Sequence, residues 1–316
     1  MKGPFMTLPP LSRISRRSFA AGALGLVTAA RLAGNVSAQA TPAAEATPIP
    51  AGESLVLRIE SVGGLRPMET QFLQTPAISI YADGTVIQPA IVTAIYPPAA
   101  ITPLNTFTIS SSALAEVVER AKAAKLDEPR TITNSMVMDA GTAQITFAAG
   151  GGFAISSIYA LQVDGPQPPE WDEETAEIVA GIKAFADWVQ GLATSLPSSE
   201  IVSREEPYQV EQLQVIAFEP DPNAPLPTGI PDLTFPPLMW PLDVSLEELG
   251  AVFDPWPGAL LPPMRCANLS GDDVRKVVEV AAQGTLISPW EDHGTTYGIL
   301  FNPILPGDWG CQTFLP

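Results

Sequence analysis

One histidine and two cysteines are all the imidazole and thiol that 316 residues contain. Zinc sites built from several His or Cys, blue-copper sites and Cys-x-x-Cys-His haem attachment each need more than that. Calcium asks only for oxygens, and acidic clusters occur at Glu170/Asp172/Glu173/Glu174, Asp272-Asp273 and Glu291-Asp292. None has the alternating Asp/Asn spacing and glycine of a calcium loop, and acids at a helix start serve its dipole. Nucleophilic catalysis would have to pass through His293, in the exposed-looking stretch Pro289-Trp290-Glu291-Asp292-His293-Gly294. There is no Gly-x-Ser-x-Gly, and no motif sets a Ser and an acid around that base. Gly150-Gly151-Gly152 falls between two strand patterns and not between a strand and a helix, so it does not read as a phosphate cradle. No catalytic, cofactor-binding or metal-ligating residue is assigned, and no cofactor is expected.

Basic residues are scarce as well, 16 against 34 acidic, a formal net charge of −18. Five of them (Lys2, Arg13, Arg16, Arg17 and Arg31) lie in the first 40 residues, which hold no Asp or Glu. There Ser15-Arg16-Arg17-Ser18-Phe19 has the form of a twin-arginine export motif. Ala20–Ala30 is a weakly apolar run, and Ala38-Gln39-Ala40 a small-x-small cleavage site. The span between Arg17 and Arg31 makes roughly 20 Å of helix, short of the ~30 Å hydrocarbon core, so cleavage is expected in place of a membrane anchor. No cysteine near the cleavage site marks a lipid anchor. The expected location is secreted or cell-envelope. The remaining chain keeps 11 basic and 34 acidic residues, a net charge of −23. Such a surface repels phosphate backbones and anionic lipid, so neither nucleic acid nor, after signal cleavage, a membrane is an expected partner.

What the chain has is a repeat. Ile109-Ser110, Leu114, Val117-Val118-Glu119, Ala121, Leu126 and Pro129 recur 160 residues later as Leu269-Ser270, Val274, Val277-Val278-Glu279, Ala281, Leu286 and Pro289. The spacing predicts a Ser-capped amphipathic helix that stops before a proline and feeds a strand. Before it, residues 41–52 form a Pro/Ala/Thr linker. Leu55, Leu57 and Ile59 alternate as a half-buried strand, and Asp83-Gly84 joins two β-branched runs as a hairpin. Gln88–Pro103 reads as a Pro-rich surface connection. Strands at 143–147 and 153–159 make a second hairpin, and Asp172 or Thr175 opens a helix with Ile178, Ile182, Phe185, Val189 and Leu192 on one face. Ser195–Pro207 is polar, contains two prolines, and reads as a boundary. Beyond it come a strand at Val210–Phe218, a stretch from Pro220 to Pro241 with eight prolines, and a capping box at Ser245–Glu248 for a short helix with Leu246, Leu249, Val252 and Phe253 inward. Cys266–Leu269 leads into the second repeated helix, and Thr296–Phe301 matches Thr142–Phe147. The expected architecture is α+β: two related units, 53–200 and 208–316, each a small antiparallel sheet with a helix on one face.

Cys266 and Cys311 are expected to form a disulfide in the oxidising exterior. The loop of about 46 residues they close is worth roughly 4 kcal/mol by chain entropy. Trp171, Trp240, Trp256, Trp290 and Trp309 sit beside Pro, acidic or Gly residues, away from the helical faces. Trp240, Trp256, Trp290 and Trp309 make a candidate binding surface for a protein or glycan partner, since Trp is enriched at hot spots; the same residues equally serve to seal Pro-rich loops onto a sheet edge.

The order of Tat-like signal, Thr/Pro/Ala spacer, Leu57-Arg58-Ile59-Glu60 with Gly63-Gly64, Ile80–Ile87, Trp-Pro, Arg265-Cys266, Leu269-Ser270-Gly271 and Cys311 resembles uncharacterised secreted proteins of actinobacteria and Chloroflexi-type bacteria. That resemblance implies an envelope or extracellular place and carries no known activity. Residues 55–190, with Leu57–Glu60, the Gly pair and Ala123-Ala124-Lys125-Leu126, resemble the emfourin-type inhibitors of metallopeptidases. The 77–87 hairpin and the second unit depart from that pattern, and no inhibitory residue carries over. The expectation is a secreted, non-enzymatic binding or envelope-associated protein. A protease inhibitor is one alternative; a glycan-active hydrolase working through a carboxylate pair is another.

Overall fold

Alternating apolar residues at Leu57, Ile59, Ile78, Ile80, Val86, Phe107 and Ile109 all turn to one side of a sheet and are buried there. The computed structural model describes residues 54–66, 69–73, 75–220, 235–254 and 263–313. The signal motif Arg16-Arg17, the linker 41–52, most of the Pro220–Pro241 stretch and Trp256 lie outside them. The chain divides after Thr47, and all described residues belong to the unit Pro48–Pro316.

The structure is mixed α+β, with two mostly antiparallel sheets of eight and six strands. The first sheet contains β1 (Leu55–Val62), β2 (Ile78–Tyr81), β3 (Thr85–Pro89), β4 (Leu104–Ile109), β5 (Arg130–Ile132), β6 (Thr142–Ala149), β7 (Gly152–Tyr159) and β8 (Ile201–Pro207). Their spatial order is β5-β7-β6-β1-β2-β3-β4-β8, with only β5 and β7 parallel. Helix α1 (Ser111–Ala123) and helix α2 (Glu173–Gln190), followed by the short α3 (Leu192–Ser195), pack on one face. Ser110 caps α1 by accepting from Ala113 N at 3.1 Å, and Asp172 caps α2 by accepting from Thr175 N at 2.8 Å. Each cap satisfies a helix N–H that has no partner within the helix. Gly84, at φ +87°, makes the β2–β3 turn; a Cβ there would meet Ile109 O at 2.4 Å.

The second sheet contains β9 (Gln212–Phe218), β10 (Leu238–Met239), β11 (Ala251–Phe253), β12 (Met264–Ser270), β13 (Trp290–Asp292) and β14 (Thr295–Pro303), in the order β10-β13-β14-β9-β12-β11. Helix α4 (Asp272–Ala281) follows β12 and covers one face with Val274, Val277 and Ala281. Setting β2, β3, β7 and the edge strand β8 aside, the first sheet retains β5-β6-β1-β4. The second contains β13-β14-β9-β12, in the same sequence order and with the same relative directions. Phe147 faces Leu57 in one sheet and Phe301 faces Val215 in the other, all four inside the helix-covered cores.

The two sheets are tied at three places. Ala99 bridges Thr285, Leu286 N donates to Pro98 O, and Ala100 enters the second core. Phe72 joins the cluster around the disulfide, and its carbonyl accepts from Asn302 Nδ2 at 2.7 Å. Leu305 packs with Tyr81, Ile87 and Leu104 on the helix-free face of the first sheet.

Several expectations change. Gln88–Pro103 is not a surface connection throughout: Gln88 and Pro89 end β3, and Ala100, with Ile101 packed beside it, enters the core of the second half. Ser195–Pro207 carries β8, which completes the first sheet, because its alternating Ile201 and Ser203 find an open edge on β4. The capping box at Ser245 caps a turn and not a helix: Ser245 Oγ accepts from Glu248 N at 3.3 Å, but Gly250 at φ +59° ends it and Val252 is exposed in β11. Helix α4 has no side-chain cap; Gly271, at φ +61°, holds the cap position in place of Ser270.

Candidate functional site

Cys266 and Cys311 form the disulfide, pinning the C-terminal strap to β12. The tryptophan surface does not assemble. Trp290 is 1% exposed and Trp240 is buried with it, their rings edge to face at 6.0 Å, and Trp290 stacks likewise on Phe301 at 5.4 Å. Trp290 begins β13 on its core side, so register turns its ring inward, while Trp240 Nε1 is satisfied by Val244 O at 2.8 Å. Trp309 alone of the described three is exposed, at 70%. His293 stands at a solvent-exposed turn with Nδ1 2.9 Å from Asp292 Oδ1; Asp292 in turn accepts from Leu246 N at 2.7 Å. Glu170 accepts from Ser135 N and Oγ, and Asp172 is spent as a cap, so these acids hold loops in place. Among the described residues no group of three or more His, Cys, Asp or Glu is placed to share a metal ion.

A groove of about 290 Å³ runs between the helix-free face of β1 and the strap 303–313. Its buried centre is Arg58, paired with Asp308 and donating to Ser79 Oγ at 3.1 Å and Pro306 O at 3.4 Å. Burial alone would lower the guanidinium's pKa, but Asp308 and Tyr81 more than offset it, so Arg58 stays charged. Burial pushes the Tyr81 hydroxyl up to about 12, and the hydroxyl donates to Pro306 O at 3.2 Å. Glu60, beside them, is raised above the usual carboxylate range by burial, with Arg58 pulling it partly back. Asp308 is also raised by burial, yet its two oxygens are engaged by Arg58 and Leu305 N. Glycoside hydrolysis needs two working carboxylates; this groove has one not so engaged, Glu60.

No family model, curated protein or solved structure matches the chain.

The least expected surface lies at one end of the first sheet. Strand register places the end of β1, the β3–β4 loop, the β5–β6 loop and the turn after β7 together at that end. Leu65 N donating to Asp139 O at 3.0 Å joins two of these loops directly. Leu65 is 83% exposed, Ile91 96% and Met138 84%; Val92, Ile95, Tyr96 and Met136 are exposed too. With Val62 and Val163 they make nine of the seventeen exposed large hydrophobics among the described residues. Single exposed apolar residues are ordinary; here they gather at one end of a sheet. Next to it a shallow groove of about 540 Å³ is lined by Thr131, Thr133, Thr142, Ser157, Tyr159 and Met138. The sequence signal that finds this end is the absence of any charged residue between Asp83 and Glu116, in a chain otherwise rich in acids.

Proposed function

We propose that this is an exported, non-enzymatic binding protein of the cell envelope, which works by docking through the apolar loop end of its first sheet. The observation that carries this reading is the concentration of exposed aliphatic side chains on loops at that one end of the sheet. Export is supported by Ser15-Arg16-Arg17-Ser18-Phe19 and by the Cys266–Cys311 disulfide, a bond suited to an oxidising compartment. The surrounding acidity continues to argue against nucleic acid as a partner.

The test is co-sedimentation of the processed chain with the isolated envelope of its own source cells. The wild type should pellet with it, and the double variant Ile91→Ser/Ile95→Ser should stay in the supernatant with an unchanged melting temperature. Retention of the variant would move the contact elsewhere.

A glycan reading is favoured by one row of the helix-free face, Thr131-Ser157-Gln144-Glu60, which runs strand to strand across β5, β7, β6 and β1 beside the larger groove. Hydroxyl and amide side chains suit sugar hydroxyls, but an antiparallel sheet also turns such residues to plain solvent. The inhibitor reading rests on the resemblance over residues 55–190 alone.

The two halves are read as products of one internal duplication. Support comes from the constant offset of 160 that carries β4, α1 and the start of β5 onto β12, α4 and the start of β13, and from the matching order and direction of four strands. Val117/Val277 and Ala121/Ala281 lie buried at equivalent places on α1 and α4. The β2–β3 hairpin, β7 and β8 are then additions to the first half, and the docking end is built largely by loops next to the hairpin and β7.

A further inference from the structure

We infer that the groove between β1 and the C-terminal strap is a binding site for a small organic cation carrying an alkylated ammonium group. The site is independent of the docking reading, because it uses the strap and none of the apolar loops. Charge is the first reason. The charged side chains that line the groove are Arg58, Asp308 and Glu60. Arg58 and Asp308 cancel as an ion pair, so one negative charge is left over, on Glu60. No donor among the described residues reaches the Glu60 carboxylate. Arg58 offsets its burial only in part, because the guanidinium is held by Asp308, Ser79 Oγ and Pro306 O. A half-buried charge without a partner is unfavourable, and a cation beside it supplies the missing compensation.

The kind of cation follows from the rest of the lining. Trp309 and Phe153, 70% and 58% exposed, both border the groove. The negative face of an aromatic ring attracts a cation without any hydrogen bond, and alkylated ammonium groups are recognised in this way. Hydrogen-bond acceptors, by contrast, are already engaged. Asp308 accepts from Arg58 and Leu305 N, Gln214 Oε1 from Asn302 Nδ2 at 2.6 Å, and Pro306 O from Tyr81 and Arg58. A primary ammonium would bring N–H groups that find too few acceptors here. An alkylated ammonium needs only the charge of Glu60 and the rings. A neutral sugar could use the rings, but it would leave the charge of Glu60 uncompensated.

Volume sets the size of the ligand. The groove's 290 Å³ is at the small end of ligand pockets, so it takes one compact group and not a chain. It is a slot between sheet and strap and not a projecting tip, so the cation enters as a free solute and not as part of a bilayer.

The experiment is isothermal titration of the processed chain with choline chloride, against sodium chloride at the same ionic strength. Saturable binding of choline is expected. Its uncharged isostere, with carbon in place of the nitrogen, should bind about tenfold more weakly, and methylammonium chloride should also bind more weakly than choline. Glu60→Gln should weaken choline binding about tenfold and Trp309→Ala about fivefold. Melting temperatures without ligand will show that the variants fold; Trp309 is so exposed that its variant keeps the test open if Glu60→Gln unfolds. No saturable binding of choline would overturn the proposal. Equal binding of the isostere, or tighter binding of methylammonium, would overturn it too. So would a neutral disaccharide that binds where choline does not. Undiminished choline binding in folded Glu60→Gln, or in Trp309→Ala, would place the cation elsewhere and also overturn it. Phosphatidylcholine vesicles should give no binding; binding to them without binding to free choline would make the ligand a membrane headgroup and overturn the free-solute proposal.

Discussion

The helix-free faces of the two sheets are where the halves part company. Pairing Phe147 with Leu57 and Phe301 with Val215 puts Arg58 at the place of Ile216, and Glu60 at the place of Phe218. On the second sheet that face is another apolar core: Ile216, Met264, Leu300 and Phe253 close around the disulfide and receive Phe72. On the first sheet the same face holds a buried ion pair, a tyrosine hydroxyl and a row of hydroxyl and amide side chains. The helix-covered faces are alike, so the common layer sets the fold and the opposite layer is free to differ. A sheet with apolar layers on both faces is given over to stability. One that leaves a face and an end open retains surface for contact.

The strongest way to break the comparison is at Trp290, whose counterpart 160 residues earlier is Arg130. Trp290 is buried between Trp240 and Phe301, and Trp290→Ala should cost about 4 kcal/mol through lost burial and the cavity left behind. Arg130 lies at the same strand start, but its guanidinium is spent on Lys125 O at 2.8 Å and on Glu128. Arg130→Ala removes mainly that charged hydrogen bond, worth about 1.5 kcal/mol. Denaturant unfolding of both variants measures the gap. Equal losses would mean that Trp290 is not the centre of the second core.

A milder pair tests the likeness. Val117 and Val277 are both fully buried, one under each helix. Val117→Ala and Val277→Ala should each cost about 2 kcal/mol, and about equally, if the helices sit on their sheets in the same way. A cost at one site twice that at the other would show that the shared pattern hides different packing.

How far the sequence reveals this layout depends on what each feature rests on. The helices, hairpins and disulfide were legible, because periodicity, Asp83-Gly84 and a lone cysteine pair are local or forced by count. Two of the four proposed surface tryptophans fail because proximity to proline says nothing about register: Trp290 goes inward as the first residue of β13. The strand β8 was hidden in a polar segment, since an edge strand needs few apolar residues once a partner edge is available. The ties between halves, Phe72 and Ala100 among them, join residues far apart in the chain, and no local pattern announces them. The apolar loop end was half legible: Ile91, Val92 and Ile95 fall in a stretch that reads as a surface connection and are exposed, but only the strand register brings the loops of β1, β5 and β7 to the same end.

The smallest expected effect has the opposite sign. Burial raises the Glu60 carboxyl above its usual range, and Arg58 compensates only in part because it is already paired with Asp308. A carboxyl with a higher pKa folded than unfolded takes up its proton in the folded state first. Its contribution is therefore unfavourable at neutral pH and is relieved as pH falls through the folded-state pKa toward the unfolded one. Glu60→Gln removes the charge while retaining the shape, and should raise the melting temperature at pH 7 by about 2 °C. Between pH 7 and the ordinary carboxylate range the wild type should then close the gap on the variant as acid is added. Asp308→Asn is the informative contrast. Asp308 too is raised by burial, but it is the partner of a buried guanidinium, so its loss should destabilise at pH 7. If Glu60→Gln also destabilises at pH 7, Glu60 belongs with Arg58 and Asp308 in one stabilising cluster. The polar face of the first sheet would then serve stability no less than the apolar face of the second does.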